Sequence, residues 1–329
     1  MQDAPSPTPD AVHPDAYKVL IGSEGWLFLQ NDANDSVGQY VGDVALSEQA
    51  VEGWHAFFRS VAAARAEFGF AFVQLFAPGK ESVYDAFYPH RDRRSAQRPI
   101  DAVLALVPVD IPACYPADLL RPVPGRPHSY DKGDHHWNAV GGAIAGVAAL
   151  RMVGCELPDP LSLGHREVAT FGDLDSKISP RPLGTRLYAL RSRDVRVTFD
   201  SMCQNHGNVM ISMNETAPDR SLLILGDSFG NYIQPALANC FRRIIRVHGH
   251  ALDRRILEFA RPDYVLSEMA ERFVLRAPPD PDAFDVTTLM RQKFRRLPAD
   301  EMVKIRDAYR AAMDGPERIW AELLSPALD

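Results

Sequence analysis

Residues 222–230 read Leu-Leu-Ile-Leu-Gly-Asp-Ser-Phe-Gly, and this run constrains the fold more than any other. Four consecutive aliphatic residues with no polar face suit a strand buried on both sides, as in a parallel sheet covered by helices. Gly226 permits a sharp turn, which lifts Ser228 to the end of that sheet. Residues 229–241 can form a helix, so Ser228 is expected at a helix N-terminus, where free N–H groups and the helix dipole favour negative charge. That setting suits an acyl-transfer nucleophile and the oxyanion it generates.

A nucleophilic serine needs a base. Residues 133–138 read Gly-Asp-His-His-Trp-Asn and place a carboxylate two residues before a histidine. In an extended or turning segment, residues i and i+2 point to the same side. Asp134 can then hold the His136 imidazole in one tautomer and leave its other nitrogen for Ser228. These are the three roles of a Ser-His-Asp triad. Asp227 reads as a hydrogen-bonding residue of the turn.

The rest of the chain alternates strand and helix. Residues 16–29 read as an entry strand or hairpin. Residues 47–68 carry apolar side chains at helical spacing (Val51, Trp54, Phe57, Phe58, Val61), with Ser47 as cap and Gly69 as stop. Strands are expected at 70–76, 107–111, 244–247 and 264–266. Helices are expected at 99–106, 138–153 and 252–260. Residues 154–220, rich in proline, read as a β-rich insertion with strand-like pieces at 195–199 and 208–213. Glu268 and Arg272 read as a salt bridge at a helix start, and 284–324 as a mostly helical segment packed across the sheet. The expected fold is α/β, a flavodoxin-like doubly wound parallel sheet forming one domain over 16–329. Ligands of such sheets bind beyond the C-terminal strand ends, where Ser228 is expected.

Gly-Asp-Ser after an aliphatic strand resembles the first block of the SGNH hydrolase superfamily. The Asp-x-His-Trp unit upstream of it resembles the alginate O-acetyltransferase group of that superfamily. Residues 21–29 (Ile-Gly-Ser-Glu-Gly-Trp-Leu-Phe-Leu), 76–84 (Phe-Ala-Pro-Gly-Lys-Glu-Ser-Val-Tyr) and 267–272 (Ser-Glu-Met-Ala-Glu-Arg) are similar to further segments of the same group. The resemblance implies an enzyme that moves an acetyl group onto a polysaccharide hydroxyl, with no cofactor. By analogy a membrane-bound acyltransferase supplies the acetyl group. The second histidine, His135, departs from the pattern. His136 is the preferred base because the family's histidine directly precedes the tryptophan. An esterase using the same residues, and a non-catalytic glycan-binding protein, are the rival readings.

Trp137 reads either as a sugar-stacking wall or as core. Tyr130 and Lys80 read as candidate substrate contacts, with a structural role as the alternative. His248 and His250 read as ordinary residues or cleft-lining ones. A metal site at Asp134, His135 and His136 is disfavoured, because adjacent histidines on one segment point apart and no distant motif completes a ligand set. The net charge of -7 gives no reason to expect nucleic-acid binding. Cys114, Cys155, Cys203 and Cys240 are scattered and read as buried thiols, or as disulfides in an exported protein. Residues 1–15 read as a disordered tail without the features of a signal peptide. The expectation is a cytoplasmic protein, or a periplasmic one if an export leader has been removed.

Overall fold

The computed structural model describes residues 16–178, 183–280 and 285–329. The expected tail at 1–15 lies outside them. The chain enters through a hairpin, β1 (Val19–Ile21) against β2 (Leu27–Leu29). The long helix α1 (Glu48–Phe68) follows. Ser47 caps it by accepting from the Ala50 N–H, and Gly69, at φ +76°, ends it in the left-handed conformation that glycine tolerates best.

The central sheet has seven strands. Those introduced next are β3 (Ala71–Ala77), β4 (Ala113–Cys114), β7 (Arg196–Asp200), β8 (Val209–Met213), β9 (Ser221–Gly226), β10 (Arg243–His248) and β11 (Tyr264–Ala270). They stand in the order β4-β3-β11-β9-β10-β8-β7. The first five are parallel, and β8 and β7 add antiparallel pairings at one edge. Between β4 and β7 the chain also forms a separate two-stranded antiparallel hairpin, β5 (His165–Thr170) and β6 (Gly184–Ala189).

Period-two alternation decides the layers. In β9, Leu223 and Leu225 face one apolar cluster, with Trp54, Phe57 and Phe58 of α1 and with Tyr309, Trp320 and Leu324 near the C-terminus. Leu222 and Ile224 face the other, with Val140, Ile144 and Val147 of α3 (Ala139–Arg151) and Ile233 and Leu237 of α4 (Gly230–Leu237). The helix at Pro99–Leu106, α2, lies on the first face through Ile100 and Val103. The result is a mixed α/β fold with a mostly parallel sheet.

Several expectations are corrected. The five parallel strands do not follow the flavodoxin-like order, which would place the last strand at an edge. The last one, β11, instead lies between β3 and β9, which suits side chains buried on both of its faces. Residues 107–111 are a turn and not a strand. Pro108 has no N–H for a ladder, and its carbonyl accepts from the Ile111 N–H. The strand begins only at Ala113. The expected helix at 229–241 is shorter and stops at Leu237, two residues after the internal Pro235. Glu268 is a strand residue of β11, and Arg272 belongs to a short 3-10 turn, so the two do not share a helix. The stretch 154–220 divides into the β5–β6 hairpin and the two antiparallel strands β7 and β8 at one end of the main sheet.

Candidate active site

The site begins where β9 ends. Gly226 passes so close to β11 that a Cβ there would lie 2.5 Å from Glu268 Oε2 and 3.1 Å from the Glu268 carbonyl oxygen, so no side chain fits. Asp227 then pins the turn. Its Oδ1 accepts from the Phe229 N–H at 2.9 Å, and its Oδ2 accepts from the Ala270 N–H on β11 at 2.8 Å. The Asp227 N–H donates to Glu268 Oε2 at 3.1 Å. Burial would raise the Asp227 carboxyl, but the neighbouring His250 and the backbone donors hold it well below the usual range. Burial and the Asp227 charge push Glu268 well above its ordinary value. The two neighbouring carboxyls are thus shifted in opposite directions, Asp227 down and Glu268 up. Ser228 follows, held at the C-terminal end of the sheet.

The second half of the site is the segment 131–138. Asn138 caps α3, its Oδ1 accepting from the Val140 and Gly141 N–H groups, while its amide donates to Asp131 and to the His128 carbonyl. The Trp137 indole donates to the Phe229 carbonyl at 3.0 Å and ties this segment to the serine turn. Asp134 Oδ1 accepts from both the backbone N–H and the ring Nδ1 of His136, at 2.9 and 2.7 Å. With the proton on Nδ1, His136 Nε2 is the acceptor for the Ser228 hydroxyl, and it lies 2.7 Å from Ser228 Oγ. Three side chains separated by up to 94 positions thus form one hydrogen-bonded row.

The other Asp134 oxygen is also occupied. Arg186 of β6 reaches it at 2.6 Å, and the Asp173 N–H lies at 3.4 Å. Burial would raise the Asp134 carboxyl; the His136 hydrogen bond and the charges of His136 and Arg186 hold it below its ordinary value. Arg186 also contacts the Tyr232 hydroxyl, and the Tyr232 ring lies beside His136 at 5.7 Å between centroids. Arg186, Asp173 and Tyr232 carry no local sequence signal, since each is recruited by a tertiary contact.

His135 takes a different partner. Its ring Nδ1 pairs with Asp173, whose other oxygen accepts the His135 backbone N–H at 3.0 Å. Burial and the nearby His136 push its pKa well below the ordinary histidine value. The two histidine rings lie against each other, 3.7 Å between centroids and tilted by 36°, so they do not point apart as expected. Asp173 supplies the distant fourth group, and ligand atoms of Asp134, His135, His136 and Asp173 lie within 4.8 Å of one another. These four could hold a metal ion by residue type, although both Nδ1 atoms already pair with a carboxylate.

The three expected substrate contacts are corrected. Trp137 and Tyr130 are fully buried, and the Tyr130 hydroxyl donates to the Pro78 carbonyl at 2.7 Å. Trp137 is core and not a sugar-stacking wall. Lys80 is equally buried, with its ammonium within 3.0 Å of the carbonyl oxygens of Leu27, Asp131, Lys132 and Asp134. Burial pulls its pKa down to about 7, against the charges of Asp134 and Asp131. An ammonium surrounded by backbone carbonyls has no reach toward a ligand. His250 faces Asp227 at 3.5 Å, and His248 lies nearer His206. The four cysteines are buried free thiols.

Ser228 and His136 open onto a cavity of about 600 Å³ between α4, the sheet at β8 and β10, and the β5–β6 hairpin. Among the described residues, no helix is long and apolar enough to cross a membrane.

No family model matches the chain, and no curated protein sequence does. Solved structures do share its fold. A DHHW family protein from Eubacterium siraeum superimposes with a TM-score of 0.56 at 14% identity, covering 78% of this chain and 95% of that one. The O-acetyltransferase domain of Pseudomonas putida AlgJ gives 0.51 at 17%, covering 84% and 99%. Bacillus cereus PatB1, solved with a sulfonyl adduct, gives 0.54 at 15%, covering 78% and 95%. In one-letter code the first family's name spells the residues that stand at 134–137 here. The chain shares the fold of these three structures, one of which is an O-acetyltransferase domain.

Proposed function

We propose that this chain, built on the SGNH-like acetyltransferase fold, is a serine-dependent O-acyltransferase that moves an acetyl group onto a carbohydrate hydroxyl. One observation carries the reading: the row Ser228–His136–Asp134, closed by hydrogen bonds of 2.7 Å and open to a cavity. His136 Nε2 takes the Ser228 proton as Oγ attacks the acyl carbon of a donor ester. The bond to the donor's leaving oxygen breaks, and that oxygen receives the proton from His136. The acetyl-serine is then attacked by a sugar hydroxyl whose proton passes to His136. The Oγ–acyl bond breaks, and Ser228 recovers its proton. Asp134 keeps the imidazole oriented and stabilises its cationic form.

The Ser228 N–H is the proposed oxyanion donor, and Asn231, three residues on at the cavity wall, the proposed second one. One such donor is worth about 3 kcal/mol in the transition state. The polysaccharide acceptor and an acetyl donor, delivered by a membrane-bound acyltransferase, are the partners this reading implies.

The test is intact-mass detection of acetyl-Ser228 with 4-nitrophenyl acetate as donor. Ser228→Ala is expected to lose the adduct and on the order of 10⁴-fold or more in turnover, with an unchanged melting temperature. An adduct that persists in this variant rejects the reading. Release of free acetate alone, with every oligosaccharide offered as acceptor, makes the protein an esterase instead.

A further inference from the structure

Two aspartate–histidine pairs stand side by side here, and the transfer chemistry uses only one of them. Asp134 holds His136 through the backbone N–H and the ring Nδ1. Asp173 holds His135 in the same way, one oxygen accepting from the backbone N–H at 3.0 Å and the other pairing with ring Nδ1. Asp173 belongs to the turn that follows β5, and that turn is docked on the catalytic segment. The Leu174 and Asp175 N–H groups both donate to the Gly133 carbonyl at 3.0 Å. The Asp173 N–H lies 3.4 Å from Asp134 Oδ2, so the second pair is fixed relative to the first.

Consecutive residues of an extended segment send their side chains to opposite sides. His135 instead lays its ring against His136, 3.7 Å between centroids. The other aromatic rings beside His136, those of Phe229 and Tyr232, stand farther off at 5.0 and 5.7 Å. The bond to Asp173 draws His135 to this place. Its remaining nitrogen, Nε2, is buried and has no hydrogen-bond partner. A phenylalanine would fill the same space with no polar nitrogen to bury. What the imidazole adds is the anchoring bond. Burial and the nearby His136 also push the His135 pKa well below the ordinary value, so the ring beside the base is neutral. A cation there would oppose the positive charge that His136 acquires in each half of the transfer.

His136 needs such a restraint. An imidazole turns about its Cβ–Cγ bond, a torsion with broad wells, and Asp134 fixes only one edge of the ring. A misplacement of about 1 Å can cost a reaction on the order of 100-fold in rate.

We propose that His135, anchored by Asp173, is a positioning residue for His136, closing one face of its ring and keeping Nε2 aligned on Ser228 Oγ. The inference rests on the acyltransferase reading above and deepens it.

The experiment follows 4-nitrophenolate release as 4-nitrophenyl acetate acylates Ser228, and separates the maximal rate from the half-saturating donor concentration. Asp173→Ala and His135→Ala are each expected to lower the maximal rate on the order of ten-fold or more, with the half-saturating concentration unchanged. His135→Phe keeps the ring without the anchor, and His135→Asn keeps a donor for Asp173 without the ring. Each is expected to retain part of the rate that His135→Ala loses. The second readout is the His136 Nδ1 proton in NMR spectra of protein with isotope-labelled histidine, identified by its absence in His136→Gln. Its resonance is expected to broaden or vanish in Asp173→Ala and His135→Ala. Melting temperatures show which variants are folded, and His135→Phe, with no nitrogen to bury, keeps the test open if the alanine variants are not. The proposal is overturned if a folded Asp173→Ala or His135→Ala protein keeps the wild-type resonance or the wild-type maximal rate, or if His135→Phe keeps both. It is overturned if the half-saturating concentration alone rises, which marks a substrate contact. It is also overturned if EDTA abolishes acylation and zinc restores it, which makes the four groups a ligand set. If wild-type Ser228 takes up no acetyl group, the acyltransferase reading fails and the resonance alone decides the positioning role.

Discussion

Lys80 shows how a single buried side chain can shape a site it never enters. Its ammonium gathers four backbone carbonyls, including that of Asp134, and so sets the path of the loop that carries Asp134 and His136. Lys80→Met would fill the volume but leave those oxygens without a donor, at about 1–3 kcal/mol for each group that finds no water. The expected outcome is a melting temperature several degrees lower and a fall in the maximal acylation rate. A Lys80 that touched sugar would instead raise KM and leave the melting temperature alone, so thermal denaturation beside steady-state kinetics separates the two roles. Burial of this kind cannot be read from a lysine in sequence. Its neighbours Pro78, Gly79 and Glu81 look like those of any surface turn.

Elements add constraints that no residue supplies alone. The β5–β6 hairpin stands apart from the main sheet, yet Arg186 of β6 bonds to the Asp134 oxygen that His136 leaves free. The turn before the hairpin's second strand reinforces this, because a Cβ on Gly172 would lie 2.0 Å from the Gly133 carbonyl oxygen. Arg186→Met removes a cation from a carboxylate that is 98% buried. The Asp134 carboxyl then holds its proton more readily, so its pKa rises. The acid limb of the acylation pH profile is expected to move to higher pH, with the plateau rate reduced on the order of ten-fold by looser orientation of His136 (roughly 1.4 kcal/mol). A profile that superimposes on the wild type would show that the hairpin only covers the site. The Asp134–His136 spacing was legible because both residues act within one short turn. Arg186 was not, because a strand of alternating exposed residues carries no mark of its partner.

Across the whole molecule, the sheet joins a segment near residue 134 to one near 228, and the same burial sets the acid response. Asp134 and Asp227 have folded values below their ordinary 3.8. Their contribution to stability is therefore complete above that value and is lost as pH falls through the folded values. Glu268 has the opposite sign. Its folded value lies above 4.5, so its contribution is present below that pH and is lost as pH rises. Urea midpoints are expected to fall steeply below about pH 4. Glu268→Gln, which keeps an acceptor for the Asp227 N–H, is expected to flatten the decline on the alkaline side. A midpoint independent of pH between 3 and 6 would contradict this reading. What the chain alone determined is local: an apolar run that must be a buried strand, a glycine turn that lifts Ser228, and a two-residue spacing that turns Asp134 toward His136. Sequence periodicity and turn chemistry act over a few residues, and they carry that much. Tertiary structure decided the rest, including the position of β11 within the sheet, the burial of Lys80, Tyr130 and Trp137, and the counter-ion for Asp134. It also set the Arg246 guanidinium in the cavity wall with the neutral amides of Gln234 and Asn208 as its acceptors. Those outcomes depend on which distant groups packing brings within hydrogen-bond reach, and packing is a property of the closed fold.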